Sequence, residues 1–119
     1  MRLTARFLTI LALLATCLAS PAMADFKKGT AAYEAGDYAT ALKEWRPLAE
    51  QGNTDAQYGL GLIYDSGKGV PKDNAEAARW YRKAADLGLA SAQSNLGVLY
   101  ASGEGVKQDL AEAARWYRR

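Results

Sequence analysis

The sequence contains no histidine and only one cysteine among its 119 residues. Histidine is the commonest general base and the commonest metal ligand in proteins. A single cysteine forms neither an intramolecular disulfide nor a cysteine-rich zinc site. The formal net charge of +2 provides no basic surface of the kind that binds nucleic acid. These absences predict a chain without catalytic residues, cofactor or metal, which works by binding.

Apolar runs are also short. The longest one lies near the N-terminus, at 7–18. It is shorter than the ~20 residues that a membrane-spanning helix needs. Arg2 and Arg6 precede it, and Ala22-Met23-Ala24 follows it as a small-residue cleavage site. This order of features is typical of an export signal. We therefore expect residues 1–24 to be a bacterial signal peptide and the mature chain to be periplasmic or secreted, without an integral membrane segment.

The one cysteine lies inside this predicted signal. Cys17 follows Thr16, whereas a bacterial lipoprotein signal usually has Gly, Ala or Ser before its cysteine. The better-formed cleavage site after Ala24 therefore argues against a lipid anchor at Cys17. Removal of the signal also removes two arginines, so that 13 basic and 13 acidic residues and no cysteine remain.

The rest of the sequence is repetitive. A shift of 36 residues places Ala56–Lys83 on Ala92–Arg119, with 18 of 28 positions identical. The block Ala75–Arg82 returns unchanged as Ala111–Arg118. A repeat of 20–50 residues is typical of a solenoid. We predict three helical hairpins, at 25–52, 53–88 and 89–119, the last one truncated at its C-terminal end.

Each repeat has the pattern of two helices. Apolar side chains recur at helical spacing in both halves, and two glycines between the halves allow a left-handed turn. An aspartate begins the second half as a helix cap, with a glutamate three residues later as in a capping box. The three tryptophans, which recur at nearly the repeat period, are predicted core residues. The structural positions are Leu60, Gly61, Tyr64, Gly67, Gly69, Asp73, Ala77 and Trp80, and then Leu96, Gly97, Tyr100, Gly103, Gly105, Asp109, Ala113 and Trp116.

This pattern closely resembles the Sel-one-like repeat, a variant of the tetratricopeptide repeat with a longer period. The resemblance implies an all-α fold, a right-handed superhelix of antiparallel helix pairs, that binds other proteins. Residues 25–52 resemble an ordinary tetratricopeptide unit, in which Gly36-Asp37 joins the two helices. Pro47 departs from that pattern and predicts a kinked or shortened second helix.

The resemblance also implies a binding groove lined by the first helix of each repeat. Tyr58 is replaced by Ser94 in the next repeat. Positions that vary between otherwise identical repeats are not required for packing of the core. An exposed tyrosine beside aliphatic residues is a plausible peptide anchor; an ordinary solvated face is the alternative. The predicted groove residues are Asp55, Tyr58, Leu62, Asp65, Ser91, Ser94, Val98 and Ala101.

The glycine-rich turn after Ser66 lacks P-loop spacing, and its copy replaces Lys68 with Glu104, so we interpret it as structural. The sequence thus predicts an exported scaffold or adaptor for a protein or peptide partner. A cell-wall-directed enzyme or enzyme inhibitor, and a stub that completes a larger repeat assembly, remain alternatives. Trp116 and Tyr117 close the sequence without a following helix. They predict association of this end with a partner or a second copy, with fraying as the alternative.

Overall fold

A computed structural model describes residues 23–119, and within that range the chain forms six α-helices and no strand. Each helix packs against its neighbours in sequence. The predicted all-α repeat solenoid is therefore confirmed. Cys17 and most of the expected export signal lie outside the described residues. The helices are α1 (Phe26–Glu34), α2 (Tyr38–Glu50), α3 (Thr54–Ser66), α4 (Asn74–Asp86), α5 (Ala90–Ser102) and α6 (Leu110–Tyr117).

The 36-residue period fixes where the helices begin. Helices α2, α4 and α6 start 36 residues apart, and so do α3 and α5. The first hairpin differs in its turn, because only three residues join α1 to α2, whereas seven join α3 to α4 and α5 to α6. The first hairpin therefore has a shorter turn than the other two, whose loops contain two glycines each.

Aspartates cap the second helix of every hairpin, as the sequence predicts. The carboxylates of Asp73 and Asp109 each accept the backbone N–H three residues later at 3.0 Å, and Asp37 does so at 3.2 Å. The reciprocal half of the capping box does not form. Glu76 instead accepts a hydrogen bond from the indole of Trp80 at 3.1 Å, and the Asp73 N–H donates to a backbone carbonyl.

Two apolar clusters hold the hairpins together. The first joins α2, α3 and α4 and contains Trp45, Leu60 and Trp80. The second joins α4, α5 and α6 and contains Tyr81 and Trp116. The adjacent Trp80 and Tyr81 belong to different clusters, so α4 is buried on two sides. The prediction that all three tryptophans are core residues is confirmed.

Aromatic rings in the second helices lie directly against glycines. The Trp45 ring fits between Gly29 and Gly59, and the Tyr81 ring lies on Gly61. A Cβ atom at any of these glycines would overlap the ring. Trp45 therefore occupies the position of Tyr81 in the repeat, 36 residues earlier, and not that of Trp80.

Pro47 does not shorten α2. The helix continues to Glu50 and has 13 residues, like α3 and α4. Pro47 is exposed and lies in the last turn, where it removes one helical hydrogen bond. Buried Ala49 holds that turn in the first cluster, which compensates for the missing bond.

We predict that Gly61→Ala destabilises the protein by about 1–3 kcal/mol in chemical denaturation, because its methyl group overlaps the buried Tyr81 ring. Helix propensity alone predicts the opposite, a gain of roughly 1 kcal/mol. Ser94→Ala, at an exposed site on α5, is the control and should not lower stability. A Gly61→Ala protein more stable than wild type would contradict the close packing.

Candidate partner-binding surface

The predicted groove residues form one stripe on α3 and one on α5. Their spacing of three and four residues places each set on a single helix face. We call the two stripes together the α3–α5 surface. Four of its residues are exposed, namely Asp55, Ser91, Ser94 and Val98, and four are half-buried, namely Tyr58, Leu62, Asp65 and Ala101.

The half-buried part of this surface is organised by Tyr81 of α4. Its ring centroid lies 5.9 Å from that of Tyr58, with 40° between the planes. Its hydroxyl donates to the Asp65 carboxylate at 3.1 Å. Tyr58 and Leu62 also pack on the second apolar cluster. Tyr58 is thus partly a packing residue, whereas the sequence suggested an exposed one, because a buried ring from the next helix reaches it.

The environment of the Tyr81 hydroxyl changes its acidity. Burial raises the pKa of Tyr81 well above its usual value, and the neighbouring Asp65 carboxylate raises it further. Both effects disfavour a negative charge on the phenol oxygen. Tyr81 therefore stays neutral and donates its hydrogen bond to Asp65 throughout the physiological pH range.

Polar contacts repeated in successive hairpins were not singled out from the sequence. Arg46 donates to the Tyr64 hydroxyl at 2.6 Å, and Arg82 donates to the Tyr100 hydroxyl. Gln57 donates to a backbone carbonyl of α2 at 3.1 Å, and Gln93 makes the same bond to α4 at the same distance. Their signal was present, since each pair of polar residues lies 36 positions apart.

The glycine-rich loops are structural, and their charge reversal has a packing reason. Lys68 lies over the rings of Tyr33 and Tyr38, 5.7 and 5.6 Å from the centroids. In the next repeat Glu104 accepts a hydrogen bond from the Asn74 side chain at 3.3 Å. Asn74 begins α4 where Tyr38 begins α2. The loop residue therefore matches the helix start on which it packs.

Within the described range 23–119, no group of three or more metal-binding side chains comes together. No helix of that range is both long and apolar enough to cross a bilayer.

The α3–α5 surface can supply aliphatic contacts from Val98 and Leu62, hydroxyls from Ser91 and Ser94, and one exposed carboxylate, Asp55. These are groups that recognise a polypeptide surface.

A family model described as the Sel1 repeat matches residues 54–89 and 90–119, more than half of the chain. The chain belongs to the Sel1 repeat family. Sel1 repeats generally act as scaffolds for protein–protein interaction, and their fold is typically non-catalytic. No curated protein matches the chain.

Two solved structures are similar to the chain. A Sel1 repeat protein from Oxalobacter formigenes is 39% identical with a TM-score of 0.75, and the match covers 79% of this chain and 39% of that one. A protective antigen present in uropathogenic Escherichia coli strains, which displays an SLR fold, is 44% identical with a TM-score of 0.74. That match covers 90% of this chain and 24% of the antigen. The chain thus spans well under half the length of either protein.

We predict that Tyr81 stays un-ionised in an alkaline absorbance titration for as long as the protein remains folded, because burial and Asp65 raise its pKa. Because its folded pKa lies above the unfolded value near 10, its contribution to stability is complete below about pH 10 and is lost as the pH rises through the folded pKa. Tyr81→Phe should therefore leave the alkaline titration of the folded protein unchanged and cost about 0.5–1.5 kcal/mol of stability.

Tyr117→Phe, at an exposed site on α6, is the matched control and should leave the stability unchanged. A loss of tyrosinate absorbance from the folded protein in Tyr81→Phe would contradict the raised pKa of Tyr81.

Proposed function

We propose that the protein is an exported scaffold, periplasmic or secreted, that binds a protein or peptide partner through the α3–α5 surface. Residues 1–24 act as its signal peptide, with cleavage after Ala24. The partner contacts the exposed edge formed by Ser94 and Val98, and the half-buried Tyr58 and Leu62 shape the floor beneath it.

The observation that supports this proposal is a difference between successive hairpins of the chain. Contacts between helices are repeated from one hairpin to the next, whereas the surface residues are not. The tyrosine–arginine and glutamine contacts are the same in successive hairpins. The stripe residues change instead, from Tyr58 to Ser94 and from Asp65 to Ala101. The fold therefore does not dictate the residue type at the exposed stripe positions, and binding of a partner is a physical reason for the variation there.

We further propose that the protein binds without catalysing a reaction. The chain has no histidine, and the carboxylates that the sequence brings close together are used in helix caps and ion pairs. Asp73 and Asp109 accept backbone N–H groups, and Glu112 pairs with Arg115. Hydrolysis of cell-wall fragments by the purified protein would instead favour the enzyme alternative.

We predict that Val98→Asp weakens partner binding at least about tenfold, because it places a charge at the centre of an apolar contact. Val98 is 54% exposed, so the variant should keep wild-type stability. The partner is captured by cross-linking in the periplasm, identified by mass spectrometry, and titrated against purified variants.

Leu87→Asp is the matched control, since Leu87 is a similarly exposed aliphatic residue that lies between α4 and α5, outside the α3–α5 surface. Equal binding by both variants would exclude the surface, and equal loss in both would indicate a general charge effect.

A second candidate function, self-association, is favoured by the exposed start of α6. The loop at Gly69 packs on Tyr38, and the loop at Gly105 packs on Asn74. Leu110 holds the matching position on α6, where it is 66% exposed beside a cavity lined also by Val106. We propose that two copies bring these faces together in a symmetric dimer.

We predict that sedimentation velocity shows a concentration-dependent dimer of the exported protein, and that Leu110→Asp abolishes it. The physical reason is that the substitution puts two carboxylates into an apolar contact between copies. Val98→Asp should leave the dimer intact. A species that stays monomeric at every concentration would remove this candidate.

A further inference from the structure

The carboxylate of Glu44 is largely buried at the start of the first hairpin. Its side chain is 11% exposed, and its Oε1 lies 3.5 Å from the ammonium of Lys28, a side chain that is itself 64% exposed. Its other oxygen, Oε2, accepts the backbone N–H of Asp25 at 2.9 Å. A buried carboxylate is costly unless it is paired with a charge, and an exposed lysine compensates it weakly.

The position of Glu44 in the repeat makes this carboxylate stand out. The residues 36 and 72 positions later are Trp80 and Trp116, and both are buried in the apolar clusters. The first hairpin thus replaces a core tryptophan with an acid. At this position the backbone nitrogen of residue 25 lies within hydrogen-bond distance of the acidic side chain.

Residue 25 is also the residue that follows the expected cleavage site. Met23 is 87% exposed, and α1 begins at Phe26, just after Asp25. The cut after Ala24 therefore falls outside the helix. Hydrolysis of that peptide bond converts the Asp25 amide nitrogen into a free α-amino group, which is mostly protonated at pH 7.

We propose that export processing creates a structural ion pair between the new α-ammonium group of Asp25 and the buried carboxylate of Glu44. The proposal rests on the export and cleavage proposed above. The nitrogen already lies 2.9 Å from Glu44 Oε2, so cleavage adds a positive charge to an existing hydrogen bond without moving the chain. The mature first hairpin is therefore more stable than the same hairpin in the precursor.

The charges around the start of α1 explain why a carboxylate at residue 44 would be stabilising. A positive charge at the N-terminus of a helix is unfavourable, because the backbone dipoles and free N–H groups there are already positive. The α-ammonium of Asp25 would lie one residue before α1. Asp25 caps that helix, since its carboxylate accepts the Lys28 N–H at 3.2 Å. Among the described residues, the Asp25 nitrogen donates to Glu44, whose carboxylate offsets the dipole penalty from the opposite side.

The test uses the protein exported and processed by a bacterial host. N-terminal sequencing should show Asp25 as the first residue. Selective acetylation of its α-amine near pH 6.5, where lysines stay protonated, restores the N–H but removes the charge. Acetylation should lower the Tm at low ionic strength by ~4–8 °C. In Glu44→Gln, which removes the carboxylate charge and keeps the side-chain shape, acetylation should no longer lower the Tm and should leave it unchanged or raise it, because the ammonium then meets only the positive end of the helix dipole.

Glu50→Gln, at an exposed site on the same helix, is the matched control and should keep the full effect of acetylation. If the processed chain begins elsewhere, both the cleavage site and the ion pair are wrong. If it begins at Asp25 but acetylation leaves the wild-type Tm unchanged, only the ion pair is wrong and export stands. The same holds if Glu50→Gln abolishes the effect. Should Glu44→Gln fail to fold, acetylation of the wild type still decides.

Discussion

The contact between an aromatic ring and a glycine sets the distance between neighbouring helices in this chain. Trp45 lies between Gly29 and Gly59, Tyr81 lies on Gly61, and Tyr117 lies on Gly97. Because glycine has no Cβ atom, each ring reaches the backbone of a neighbouring helix, and the helices approach more closely than two larger side chains would allow. Alanines suffice for most of the remaining interface, so that an alanine-rich sequence can still form a dense core.

Much of this arrangement could be predicted because it depends on local rules that repeat. The 36-residue identity, the aspartate caps and the left-handed glycine turns each follow from residues a few positions apart, and all are present in the structure. The register of Trp45 follows from the same 36-residue offset, which places it on Tyr81, although the spacing of 35 residues from Trp45 to Trp80 obscures this. The sequence does not show that the Trp45 ring lies between two glycines from different helices, because that contact depends on how the helices pack.

The binding surface was less predictable, because its residues are half-buried by side chains from another helix. Helical periodicity places Tyr58 on an outer face. In the structure, the Tyr81 ring from α4 packs against Tyr58, and the Tyr81 hydroxyl donates to Asp65. Variation between repeats identifies positions that the helix itself does not constrain. It does not show that a neighbour contacts them, since that depends on three-dimensional spacing. A variable residue is therefore a good candidate for recognition only when the structure leaves it accessible, as it does for Val98.

The repeats are similar in their cores but are not interchangeable in order. Lys68 suits a hairpin that follows Tyr38, and Glu104 suits one that follows Asn74. An exchange of the two loops would place a carboxylate against the Tyr38 ring and leave Asn74 without its acceptor. Each hairpin is thus matched to the one before it, and the array has a direction. Glu44 extends that logic to the first hairpin, where no earlier repeat exists in the described chain and a backbone nitrogen takes the place that apolar packing holds elsewhere.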